Sequence, residues 1–142
     1  MITPHSGELS ALLTARGVPV TVEAIEGDPK KWVRKAAQTL GVTVLLKGSV
    51  TYVSNDDLLI ELPAATPWLA TAGSGDVLAG IIGALVATNT VEILNDNNRL
   101  AEVAATGAYI HAQAAKNASR GGPISAEMIT AHISGAISQL IK

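Results

Sequence analysis

The chain has 142 residues, 48% hydrophobic and 15% charged, which is one domain's worth of sequence with ample material for a core. A net charge of −2 with no basic block argues against a nucleic-acid surface, and the lack of cysteine excludes disulfides and thiolate metal sites. No basic segment leads into an apolar one at the start, and the longest apolar run, Val77 to Ala87, is too short to span a bilayer, so the sequence predicts a cytoplasmic protein.

In chain order, Ile2-Thr3-Pro4 reads as the end of a strand. Ser6 is placed to cap a short helix holding Leu9, Leu12 and Leu13 and stopped by Gly17. Val18 to Val22 reads as a short strand or an extended link. Asp28-Pro29 starts a second helix, with Trp32, Val33, Ala36, Ala37 and Leu40 on one face and Gly41 at its end. Val42 to Leu46 is a nearly continuous apolar run of the kind found in buried parallel strands. Thr51 to Ser54 and Leu58 to Leu62 flank the turn Asn55-Asp56-Asp57 and predict a hairpin. A helix begins after Gly75, and a long one runs from about Leu100 to Lys116 with Gly107 inside it, a sign of a close packing contact. A last helix follows Ser125. Asn89 to Asn98 and Asn117 to Pro123 read as loops. This alternation predicts an α/β layered domain.

The stretch Thr71-Ala72-Gly73-Ser74-Gly75-Asp76-Val77-Leu78-Ala79-Gly80 carries the chemistry. Glycines let the backbone turn tightly and approach a ligand closely. The free N–H groups and dipole of the following helix turn attract an anion. An aspartate beside a phosphate cradle has a use if it takes a proton from a hydroxyl that attacks the phosphate. Val77, Leu78, Ile81, Ile82, Leu85 and Val86 form one helix face, and Ala79, Gly80, Gly83 and Ala84 form a small-residue stripe opposite. Apolar or small on both sides, this helix is expected to be buried all round.

These residues resemble the C-terminal half of the ADP-dependent NAD(P)H-hydrate dehydratases, a branch of the ribokinase-like superfamily. Four segments carry the likeness. Ile2-Thr3-Pro4-His5-Ser6-Gly7-Glu8-Leu9 is similar to the family's T-P-H-P-G-E segment, with Ser6 where the family has proline. Leu45-Leu46-Lys47-Gly48-Ser49-Val50-Thr51 is similar to its L-K-G segment. Pro67-Trp68-Leu69-Ala70-Thr71-Ala72-Gly73-Ser74-Gly75-Asp76 is similar to its N-P-x-L-A-T-A-G-[ST]-G-D signature, with Thr66 in place of asparagine. The closing helices, with Tyr109-Ile110-His111 and Gly121-Gly122, fit as well.

The resemblance implies a three-layer ribokinase-like α/β fold, here an incomplete C-terminal portion with a parallel strand and a hairpin flanked by helices. Residues 1–142 would be part of a single dehydratase domain whose other half precedes residue 1. It implies a hydro-lyase that removes water from hydrated NADH or NADPH while converting ADP to AMP and phosphate. Asp76 would be the base and would meet the substrate. Gly73, Ser74 and Gly75 would form the anion hole. Lys47, Gly48, Ser49, Val50, Thr51 and Gly75 would bind the nucleotide, and His5 would touch the hydrated nicotinamide. Mg²⁺ would be held mainly by phosphates and water, with no protein metal cage. His111 and His132, within apolar helices, read as structural, Asp56 and Asp57 as turn residues, and Glu8 as a helix cap. The partners implied are NAD(P)H hydrate and ADP, with no nucleic acid and no membrane. An exposed sheet edge would make the chain a homo-oligomer.

Two other readings share the motif. One is an ATP-dependent small-molecule kinase of the same superfamily, of the hydroxymethylpyrimidine or pyridoxal type, which also has G-[ST]-G-D. The T-P-H-x-G-E and L-A-T-A-G combination favours the dehydratase. The other is an inactive, self-associating half-domain.

Overall fold

A computed structural model describes residues 1–141. A three-stranded antiparallel sheet, β1 (Val44–Leu46), β2 (Tyr52–Ser54) and β3 (Leu59–Glu61), lies at its centre in that order. Val44 pairs with Ser54 and Leu46 with Tyr52, while Tyr52 pairs with Glu61 and Ser54 with Leu59. The Val42–Leu46 run is therefore strand only over its last three residues, and it pairs in two senses. On its other side the opening segment runs parallel to it, Ile2 opposite Val44 and His5 opposite Lys47. The bonds Ile2 N–H to Thr43 O, Leu45 N–H to Ile2 O and Lys47 N–H to Pro4 O hold that segment in place.

Side chains alternate across a strand, and β1 uses both faces. Val44 and Leu46, with Tyr52, pack on α1 (Ser6–Ala15), α2 (Val22–Gly27) and α3 (Pro29–Leu40) through Leu9, Leu13, Ile25, Val33 and Ala36. Leu45 and Val53 face the other way, onto Leu78 and Ile82 of α4 (Ser74–Thr88) and Ala101, Ala104 and Ala108 of α6 (Arg99–Ser119). The result is three layers, helix–sheet–helix. A third cluster joins α4 and α6 to α7 (Ala126–Leu140) through Ile81, Ile110, Ala114 and Ile129.

Local chemistry explains the ends. Thr21, Asp28 and Ser125 each accept a backbone N–H at a helix start. Gly41 ends α3 in the left-handed region at φ 65°. Asn55 Oδ1 accepts from Asp57 N–H at 3.0 Å and Leu58 N–H at 2.7 Å, closing the hairpin turn.

Four sequence expectations need correction. The cap of α1 is His5, not Ser6, and Ser6 occupies the first helical position, the one proline also favours. The Asn117–Pro123 loop begins only at Arg120, because α6 runs on through Ser119, while Val18–Val22 is the link of its two readings, its last residue opening α2 after the cap Thr21. The Asn89–Asn98 loop contains a six-residue helix, α5 (Thr90–Asn95). Helix α4 is not buried all round: Leu78, Ile81 and Ile82 are buried, while Ala79, Gly80, Gly83 and Ala84 lie exposed. The small-residue stripe faces outward because α6, α7 and the sheet all pack on the other side.

Candidate active site

The parallel pairing of residues 2–5 with β1 sets His5 beside Lys47, at the end of the strand where its side chain leaves the sheet. His5 caps α1 through Nδ1, which accepts from Gly7 N–H at 3.1 Å and Glu8 N–H at 3.2 Å. Glu8 answers by accepting His5 N–H at 2.7 Å, a capping box, as its reading as a cap requires. The same carboxylate reaches Lys47 Nζ at 3.5 Å. The His5 backbone N–H, with help from Lys47 and the His5 ring, holds the Glu8 carboxyl below its usual range against the opposing effect of burial.

Lys47 also faces the glycine turn. A methyl group built on Gly75 would stand 3.6 Å from Lys47 Nζ. His5, Lys47 and the Gly73–Asp76 turn, separated by up to 71 residues in sequence, therefore converge on one edge of the sheet. Gly73 turns with φ 81°, a left-handed conformation, and its missing side chain leaves room for Ala126 Cβ, 3.1 Å from where a methyl would sit. Asp76, in the first turn of α4, is exposed.

The four N–H groups of the turn are not equivalent. Ser74 N–H is donated to Thr71 O at 3.2 Å, and Asp76 N–H to Gly73 O at 3.1 Å. Gly73 and Gly75 N–H have no protein acceptor among the described residues. Helix starts leave such donors unpaired by geometry, and an anion satisfies them.

Beyond Lys47 the chain turns back through Gly48, where a methyl would press Val50 O at 3.2 Å. Ser49 O accepts Ala65 N–H and Thr51 O accepts Leu62 N–H, both at 3.0 Å, tying this loop to residues 62–66. Thr51, Leu62, Thr66, Leu69 and residues of α6 then line a cleft of about 140 Å³. The sequence reading took one residue of this cleft, His111, as structural. His111 of α6 is 5% exposed and lines this cleft. Burial lowers its pKa to about 4, against a smaller opposing effect of the Ser74 backbone. Its apolar helical context looked purely structural. Trp68 anchors the approach to the turn, its indole N–H donating to Gly121 O at 3.1 Å. His132, by contrast, bonds Met128 O of its own helix at 2.8 Å. Asp56 and Asp57 lie in the hairpin turn.

The family model for NAD(P)H-hydrate dehydratase matches residues 1–139. The chain belongs to that family. It is 40% identical over 147 aligned positions to the bifunctional NAD(P)H-hydrate repair enzyme Nnr of Mycobacterium leprae, covering 99% of this chain and 28% of that protein. It is 36% identical over 137 positions to the ADP-dependent (S)-NAD(P)H-hydrate dehydratase of Neisseria meningitidis serogroup B, covering 96% of this chain and 42% of that one. Among solved structures, the Bacillus subtilis ADP/ATP-dependent NAD(P)H-hydrate dehydratase, crystallised with ATP and Mg²⁺, superposes with a TM-score of 0.71 at 22% identity, over 96% of this chain and 47% of that one. The fold is thus that of the ribokinase-like dehydratases, and the chain spans less than half the length of these relatives.

Proposed function

We propose that residues 1–142 form the C-terminal portion of a single dehydratase domain in the cytoplasm. That domain performs ADP-dependent dehydration of hydrated NADH or NADPH, releasing AMP and phosphate. The observation that carries this is the meeting of Lys47 Nζ with the Gly75 turn, beside the unpaired N–H groups of Gly73 and Gly75. A lysine and free helix-start donors at one point suit the phosphates of a nucleotide. The Lys47–Thr51 loop then leads to the cleft against α6, so the nucleoside lies on that side.

These positions support a kinase-like mechanism. The substrate hydroxyl sits between Asp76 and the terminal phosphate of ADP. Asp76 takes its proton as the oxygen attacks phosphorus, and the bond to AMP breaks. Gly73 and Gly75 N–H, with Lys47, hold the charge that develops on the phosphoryl oxygens. The ring carbon–oxygen bond of the resulting ester then breaks and phosphate departs with the oxygen. Loss of a proton from the neighbouring ring carbon restores the reduced nicotinamide. His5, exposed at the start of α1, would touch the hydrated nicotinamide. Magnesium, when bound, would neutralise phosphate charge. No group of three His, Asp or Glu residues among those described is placed to cage a metal, and Glu8 is committed to His5 and Lys47. That donor set fits an ion held chiefly by phosphates and water, with Asp76 as the nearby carboxylate.

The test is Asp76→Asn in a protein of the relatives' full length that carries these residues. Asparagine keeps the size but cannot take the proton, so ADP binding persists while recovery of nicotinamide absorbance from the hydrate falls by roughly 10²–10⁴-fold. Activity within a fewfold of wild type shows that Asp76 is not the base. An ADP-soaked crystal with the Gly73–Asp76 turn empty removes the anion site.

A further inference from the structure

We propose that Trp68 is a positioning residue for the phosphate site: by tying the approach to the glycine turn onto the loop between α6 and α7, it fixes where the N–H groups of Gly73 and Gly75 stand. This rests on the reading of the Gly73–Asp76 turn as the place of the nucleotide phosphates. Trp68 lies in the single turn of 3-10 helix Pro67–Leu69 that leads into the glycine turn. Its indole N–H donates to Gly121 O at 3.1 Å, across 53 residues of sequence. The acceptor is itself held. Ser119 Oγ accepts Gly121 N–H at 3.1 Å and donates to Gly122 O at 2.8 Å, so the Gly121 carbonyl sits in a loop braced by the end of α6. A second anchor follows. Gly73 packs so close to the first residue of α7 that a methyl built on it would lie 3.1 Å from Ala126 Cβ. Trp68 and Gly73 are five residues apart, as are their partners Gly121 and Ala126, so the two segments dock side by side.

Between the anchors the backbone transmits position. Ala70 N–H is donated to Pro67 O at 3.2 Å, Thr71 N–H to Leu69 O at 2.8 Å and Ser74 N–H to Thr71 O at 3.2 Å, so residues 67–74 form one bonded run. Planar peptides leave such a run few soft angles. Just upstream, Ala65 N–H is donated to Ser49 O, which links the run to the Lys47–Thr51 loop. Donors aimed at a phosphate act at full strength only when they are held in place before it binds. Trp68 is 41% exposed and does not line the cleft that Thr66 and Leu69 line, so its part is to hold the turn rather than to touch a ligand there. It also stands at the open position of the N-P-x-L-A-T-A-G-[ST]-G-D signature. The tie thus comes from a residue that the shared motif does not prescribe.

The test compares Trp68→Phe with Thr21→Ala in the chain. Phenylalanine keeps an aromatic ring and loses the N–H. The Thr21 variant removes the cap of α2, in the helical layer across the sheet, and so lowers stability without touching the turn. The first readout needs no ligand: the ¹⁵N amide signals of Gly73 and Gly75 move in Trp68→Phe and stay in place in Thr21→Ala. The second is the affinity for ADP followed by those signals, with inorganic phosphate as the smaller probe. Trp68→Phe weakens ADP binding about three- to tenfold, the scale of one lost hydrogen bond, while Thr21→Ala binds as wild type despite its lower Tm. Should Trp68→Phe not fold, the wild type decides. The chain has two tryptophans, so the indole N–H signal that survives Trp32→Phe is that of Trp68, and it shifts as phosphate fills the turn. An ADP affinity unchanged in Trp68→Phe overturns the proposal, as does an indole signal indifferent to phosphate that the Gly75 amide senses. Wild-type protein whose Gly73 and Gly75 signals ignore both ADP and phosphate sinks the anion-site reading and the proposal with it; wild-type binding matched by Trp68→Phe sinks the proposal alone.

Discussion

At Gly107 the crossing of α4 and α6 leaves no space for a methyl group. A Cβ there would lie 2.7 Å from Ile82 Cγ1 and 3.5 Å from both Ile82 Cα and Leu85 Cδ1. Ile82 is branched at Cβ, so its rotamer in a helix is stiff and Cγ1 cannot swing aside without cost. Gly107→Ala therefore pits two effects against each other. Alanine gains about 1 kcal/mol of helix propensity over glycine, while overpacking a close-packed crossing costs about 1–3 kcal/mol. The contact is close enough to put the cost at the upper end, and the net is a loss of about 1–2 kcal/mol, or roughly 3–6 °C in Tm for a domain of this size. Gly83 supplies the control. It lies on the exposed stripe of α4 with nothing within 4 Å of a built methyl, so Gly83→Ala keeps only the propensity gain and raises Tm by a few degrees. Urea and thermal unfolding of the two variants side by side give the comparison. If Gly107→Ala stabilises as much as Gly83→Ala, the crossing is not closely packed and this account of the α4–α6 contact fails.

Further outcomes follow from the site and its supports. Gly75→Ala leaves the fold intact, since its methyl meets Lys47 Nζ at an ordinary 3.6 Å, but it takes the space a phosphate needs; ADP affinity by calorimetry falls tenfold or more. His111 has a pKa of about 4 in the folded chain against about 6.5 unfolded, so between those values the unfolded chain binds a proton that the folded one refuses. Stability thus falls as pH is lowered from 6.5 to 4, by up to about 3 kcal/mol, and a His111→Asn variant lacks that part of the slope in urea titrations at stepped pH. Asp28→Ala removes the acceptor of Lys31 N–H at the start of α3 and costs about 1 kcal/mol in the same assay.

The sequence carried the elements whose signals are local. Asp28-Pro29 and Gly41 bracket α3, Asn55 with two acidic neighbours makes the hairpin turn, and the glycines before Asp76 open α4. It lost information where a side chain's role depends on something distant. Ser6 is a better intrinsic cap than His5, yet the parallel pairing of residues 2–5 with β1 fixes the backbone so that the imidazole reaches the N–H groups. The α4 stripe could not reveal which of two apolar faces would find neighbours. His111 sits among alanines in a periodic helix, and only the tertiary packing of α6 sets it in the cleft, 5% exposed. Its signal was a lone polar residue on an apolar face, one turn from a glycine.

The sheet edge yields the last prediction. Segment 2–5 is bonded to β1 on one side only: Ile2 N–H, Ile2 O and Pro4 O all point to that strand. Thr3, between them, turns its N–H and C=O outward. Beside it Ile2, Pro4, Ala11, Leu12 and Ala15 line an open groove, with Leu12 40% and Met1 37% exposed. An edge of this kind, next to apolar side chains, favours pairing with another strand. In a preparation of residues 1–142 alone, the strand available is that of a second copy, and a two-fold dimer is the simplest closed assembly. The relatives are more than twice as long, so on the function proposed above these residues alone would hold Asp76 and the Gly73–Asp76 turn without the rest of the substrate pocket. We therefore expect dimers by light scattering, weak ADP binding and no dehydration of the hydrate. Thr3→Pro, which removes the outward N–H, shifts the population toward monomer. A monodisperse monomer that restores NADH from its hydrate with ADP would mean that 142 residues suffice for the whole reaction, and the half-domain reading would be wrong.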